Sequence, residues 1–81
     1  MSNPPRSRFL QRNQGAERVG QVLELLSLSH QPLPLQELSQ RLGMHASTAH
    51  RLLKTMEEQE LIARMDSTEL YRLGPRILTL P

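Results

Sequence analysis

At 81 residues, 37% of them hydrophobic and 2% aromatic, the chain is one small domain with a core built mainly from Leu, which suits packed helices and leaves no room for a large enclosed active site. It has no Cys, which excludes disulfides, thiolate chemistry and the commonest zinc sites and points to an intracellular, cytoplasmic setting; no run is apolar for long enough to be a signal peptide or a membrane span. The net charge of +2 is uneven, because residues 1–15 hold Arg6, Arg8 and Arg12 without an acid, whereas residues 16–81 carry seven basic and eight acidic side chains.

Residues 1–15, with Pro4-Pro5, Gly15 and no hydrophobic period, read as a flexible basic arm. From Glu17 the pattern is helical: Val19, Val22, Leu23 and Leu26 line one face, and Leu25 and Leu28 widen it beyond a single stripe. Gly20 interrupts this helix, either as a weak spot or as a place where another backbone comes close. SHQPLPL (29–35) ends it, since Pro32 and Pro34 remove amide donors, and Leu33 to Leu35 have room for a very short strand. A second helix follows, with Leu35, Leu38 and Leu42 on one side and Gly43 as its left-handed stop.

HASTAHRLLKTM (45–56) forms the next helix, and its faces differ sharply. Ala49, Leu52, Leu53 and Met56 recur at core spacing, whereas His45, Ser47, Thr48, His50, Arg51 and Lys54 make a polar set without one acid. Two short amphipathic helices joined by a turn containing Gly are a helix-turn-helix pattern. LIARM (61–65) and LYRL (70–73) around DSTE (66–69) then read as a small hairpin, with Ile62, Tyr71 and Leu73 facing the helices and Leu70 and Arg72 facing out. Gly74-Pro75 introduces a last helical segment.

The expected fold is therefore mainly α with a small β-hairpin, a winged helix-turn-helix of three core helices plus a wing over residues 16–74. Such a helix enters a DNA major groove with small polar residues leading and cations behind, a need that Ala46, Ser47 and Thr48 meet. Ser47 and Thr48 are expected to contact phosphate while helping to cap the helix, His50 and Arg51 to reach base edges, and Lys54 to contact phosphate.

RVGQVLELLSL (18–28), LPLQELSQRLGM (33–44), STAHRLLKTME (47–57) and YRLGPRILTL (71–80) resemble the DNA-binding domain of the IclR family of bacterial transcriptional regulators. The resemblance covers residues 16–80, and STAHRLL together with YRLGP is its most specific part. It implies that Ser47, Thr48 and Arg51 lie on the DNA-facing helix and that Arg64 and Arg72 support the wing near the backbone. It also implies double-stranded operator DNA as partner and a homodimer formed through the wide apolar face of residues 19–28. A linker helix would begin near Pro75 and lead to a domain, outside these 81 residues, through which a small-molecule effector acts. Four departures stand out: Ala46 in place of a basic residue, Glu60 in place of a Gly after the helix, an acidic wing tip with Asp66 and Glu69, and Pro34 where a Ser or Thr cap is common.

Other classes fit less well. Ser47 and His50, three apart, have no acid to orient the His and no second site for an oxyanion, so no enzyme is expected. His30, His45 and His50 lack the partners and spacing of a metal site, and no cofactor is expected. A winged helix used for protein interaction, without sequence-specific DNA binding, is the main alternative; the net negative charge of residues 16–81 favours it. The acid-free front of 45–54, which lacks apolar anchors, speaks against it.

Overall fold

The computed structural model describes residues 13–78. Their elements run α1 (Gln14–Leu28), β1 (Leu33–Pro34), α2 (Leu35–Leu42), α3 (Ala46–Glu58), β2 (Ile62–Arg64), β3 (Leu70–Leu73) and α4 (Pro75–Leu78). The basic arm with Arg6, Arg8 and Arg12 lies outside the described residues.

Helix α1 starts earlier than the hydrophobic period suggests, and Gln14 and Gly15 belong to it rather than to the arm. The reason is local: Asn13 Oδ1 accepts the Ala16 amide at 2.9 Å and the Asn13 carbonyl accepts the Glu17 amide at 2.9 Å, which makes Asn13 a side-chain N-cap. Most of the wide apolar face of α1 packs on the domain's own core. Val22 and Leu26 are buried, Val19, Leu23 and Leu25 are half-buried against the same cluster, and Leu28 remains 72% exposed. Gly20 faces open space, so it is a weak spot and not a site of close approach.

The wing is more than a hairpin. The strand order is β1-β3-β2, all antiparallel, with Leu33 opposite Tyr71 and Ile62 opposite Leu73. Pro34 sits on the edge strand, where a missing amide breaks no ladder. It also stands at the N-cap of α2 and makes no side-chain cap. The Leu35 amide, the first unpaired donor of α2, instead donates to the Glu69 carbonyl at 3.0 Å, so the wing satisfies one of the free amides at this end of the helix.

The core joins every layer: Val22 and Leu26 from α1, Leu35, Leu38 and Leu42 from α2, Ala49, Leu53 and Met56 from α3, and Ile62 and Tyr71 from the sheet. Full burial of the Val, Leu, Ile and Met side chains among them contributes about 1.5–3 kcal/mol each. Tyr71 shares the helix-facing side with Ile62 and Leu73, and its hydroxyl has a raised pKa. Burial is the main cause; the nearby Arg64 charge opposes it, and Glu57 and Glu69 add to it.

Candidate nucleic-acid interface

The turn between α2 and α3 is built by the backbone. Gly43 adopts φ 68°, its amide donates to the Gln40 carbonyl at 3.1 Å, and the Met44 amide donates to the Ser39 carbonyl at 3.0 Å. This pair of bonds is a Schellman motif, which ends α2 sharply and aims the chain into α3. Arg18 reinforces it from α1, its guanidinium donating to the Leu42 carbonyl at 2.7 Å and so neutralising the negative end of α2. With Met44, Thr48 and Leu52, Arg18 lines a groove beside the first turns of α3. Sequence reading had no means of assigning this contact, which spans 24 residues.

Helix α3 runs over the span its two-faced pattern predicts. Ala49, Leu53 and Met56 are buried, Leu52 and Glu57 are half-buried, and His45, Ala46, Ser47, Thr48, His50, Arg51 and Lys54 are all exposed. The residues singled out on α3 therefore stand together on one outward surface. Between Ala46 and Thr55 its only charges are Arg51 and Lys54.

The capping expectation for Ser47 and Thr48 is not met. His45 is the N-cap residue, in extended conformation, its carbonyl accepting the Ala49 amide at 2.9 Å, and no side chain caps this end. Ser47 and Thr48 lie inside the first turn, past the position from which a side-chain oxygen reaches back to the leading amides. The first amides of α3 have no intrahelical acceptor, and the exposed Ser47 and Thr48 stand within that same turn.

The two wing arginines part company. Arg64 lies opposite Tyr71 across the β2–β3 ladder and shares its face of the sheet, whereas Arg72 lies opposite Ala63 on the other face. Both are exposed, and Arg72 borders a shallow cleft with residues 29–32 of the loop after α1. At the wing tip Asp66 takes φ 51°, and Thr68 Oγ1 accepts the Leu70 amide at 3.2 Å. The tip is thus a closed turn made without glycine.

His30, His45 and His50 are exposed. Among the described residues no group of three His, Cys, Asp or Glu side chains is placed to hold a metal ion. No helix among them is long and apolar enough to cross a membrane.

Comparison with known proteins leads to the same place. Residues 15–66 match the model of the IclR helix-turn-helix domain. The glycerol operon regulatory protein of Streptomyces coelicolor is 31% identical over 67 residues, which are 83% of this chain and 26% of that protein. The crystal structure of the Agobacterium tumefaciens repressor BlcR superposes with a TM-score of 0.72 at 34% identity, over 79% of this chain and 25% of BlcR. Pseudomonas aeruginosa HmgR gives 0.71 at 29% identity, over 82% and 27%. The chain spans about a quarter of the length of these relatives. They are similar to it in the part that forms the helix-turn-helix, and that part takes up more than half of this chain. The chain belongs to the IclR family, and what it carries is the family's DNA-binding helix-turn-helix domain, a module of transcription regulation.

Proposed function

We propose that this domain reads a specific operator by laying α3 in the major groove, with the first turn of the helix deepest. One observation carries the reading: the exposed side of α3 from His45 to Lys54 has small polar groups first, cations next and no acid, while its other side is locked into the core. Ala46, Ser47 and Thr48 allow close approach and, with the leading amides, hold a phosphate; Arg51 and His50 read base edges; Lys54 and His45 contact the backbone. Arg64 meets the backbone beside the groove, and Arg72, on the other face, adds a weaker general attraction. Nothing in this arrangement positions a nucleophile or general base, and the domain acts by binding, in the cytoplasm, without catalysis or cofactor.

Two copies of the domain reading a palindromic operator fit this assignment, with Leu28 and the adjoining Leu25 as the part of α1 left for a partner. An effector acts through a region outside these 81 residues.

The test is selection of sites from random duplexes by the chain and its Arg51→Ala and Lys54→Ala variants. Arg51→Ala is expected to cost about 1–3 kcal/mol on the selected site and to blur one base position, whereas Lys54→Ala weakens all duplexes alike and lowers the salt slope by about one. Unchanged affinity and sequence preference in Arg51→Ala would overturn the base-reading role. Failure of the parent chain to enrich any duplex would favour a protein-interaction module.

A further inference from the structure

We propose that the corner Gly74–Pro75–Arg76 is a positioning element for DNA reading: it fastens the exit of α3 to the segment leaving the wing, so that α3 and α4 hold one relative orientation. This rests on the assignment of α3 as the reading helix.

The exit of α3 repeats the geometry that ends α2. Glu60 adopts φ 63°, its amide donates to the Glu57 carbonyl at 2.9 Å, and the Leu61 amide donates to the Met56 carbonyl at 3.0 Å. The turn is thereby tied to Met56, a core residue. From its other side it is gripped by the corner after β3. The Gly74 amide donates to the Leu61 carbonyl at 2.8 Å, the Arg76 amide to the Glu60 carbonyl at 3.1 Å, and the Arg76 guanidinium to the Gln59 carbonyl at 3.4 Å. Each of the residues 59, 60 and 61 therefore accepts from the corner.

Gly74 makes this grip possible. A Cβ there would stand 2.5 Å from the Glu60 carbonyl oxygen, 2.8 Å from the Ile62 nitrogen and 2.9 Å from the Ile62 carbonyl carbon, all backbone atoms that cannot rotate aside. Gly74 is buried and has no positive φ, so the position needs space and not a left-handed backbone. Any rotation of α4 must either carry residues 59–61 with it or break these bonds. The corner is thus a mechanical connection between the reading helix and whatever α4 leads into.

Amide hydrogen exchange on the 81-residue chain tests this, free and bound to a duplex enriched from a random pool, with Gly74→Ala alongside. In the free chain, the amides of Gly74 and Arg76 are expected to open together with those of Gln59, Glu60 and Leu61, with the same dependence on denaturant. Binding the duplex should slow both sets by a similar factor, about tenfold or more. Gly74→Ala should speed exchange at 74, 76 and 59–61 by about tenfold while the Leu38 and Leu53 amides hold, and should reduce affinity for the enriched duplex more than for a random one.

The proposal is overturned if the two sets open independently in the free chain, or if DNA slows 59–61 and leaves 74 and 76 unchanged. It is equally overturned if Gly74→Ala opens the corner without altering duplex discrimination, or speeds every amide alike, as simple loss of stability would. The measurement on the free chain needs no DNA. If no duplex is enriched, the assignment of α3 fails while the shared opening is still confirmed or refuted by itself.

Discussion

Replacing Glu60 by Gly should stabilise the domain, although it deletes a side chain just past the end of α3. Glu60 stands at the left-handed position of a Schellman motif, with φ 63° and an exposed side chain. A residue with a Cβ is disfavoured there by about 1–2 kcal/mol. Glycine removes that strain but loses about 0.5–1 kcal/mol more backbone entropy on folding. The net gain is about 0.5–1 kcal/mol, which for a domain of this size raises Tm by about 2–8 °C. Thermal unfolding followed at 222 nm, with urea titration for the free energy, measures it. Gly43→Ala is the mirror experiment, since Gly43 holds φ 68° at the same position after α2 and its Cβ would meet nothing within 4 Å. It isolates the backbone effect and should lower stability by a similar amount. An unchanged or lower Tm for Glu60→Gly, with Gly43→Ala destabilising as expected, would refute the strain argument at residue 60.

Asn13→Ala removes the side-chain cap that Asn13 gives α1 and should cost about 1 kcal/mol in urea unfolding, with a fall in helix signal confined to its first turns. Tyr71 makes the fold sensitive to alkali. Its raised pKa means that the folded state keeps the phenolic proton more tightly than the unfolded chain, so its contribution is complete below about pH 10 and is lost as pH rises further. Tyr71→Phe should flatten that alkaline loss in a stability-versus-pH series. Deleting residues 1–12 removes Arg6, Arg8 and Arg12 and should weaken binding to preferred and random DNA in similar proportion, mostly at low salt. Selective loss on the preferred site would mean that the arm reads a groove.

The span of α3 was legible because its apolar and polar residues separate cleanly and no glycine or proline interrupts them. β1 was legible as a short extended stretch beginning at Leu33, although Leu35, which that reading includes, opens α2 instead. Its pairing with β3 was not, because Leu33 and Tyr71 meet only after the intervening helices have packed. The start of α1 was misjudged because the hydrophobic period begins later than the helix, while Asn13 caps a first turn that contains no core residue. The capping roles of Ser47 and Thr48 failed for a related reason: composition marks a helix end, but His45 sits at the boundary and contributes no side-chain bond. At residue 60, where the family pattern has a glycine, Glu60 itself takes the left-handed conformation. The grip of Gly74 on that turn needed coordinates, because a residue chosen for the space it leaves carries no periodicity.

The bond from the Leu35 amide to the Glu69 carbonyl has a consequence for how such a domain tolerates changes in length. Because it joins the start of α2 to the returning strand of the wing, residues 69–71 are held in register with the helix pair. Insertions or deletions at 66–68 fall outside that register and leave the helix pair untouched. The same change one or two residues later would slide Glu69 away from Leu35 and uncap α2. Length variation among working relatives should therefore gather at the very tip, so that the wing can gain or lose reach along DNA without disturbing the element beside it.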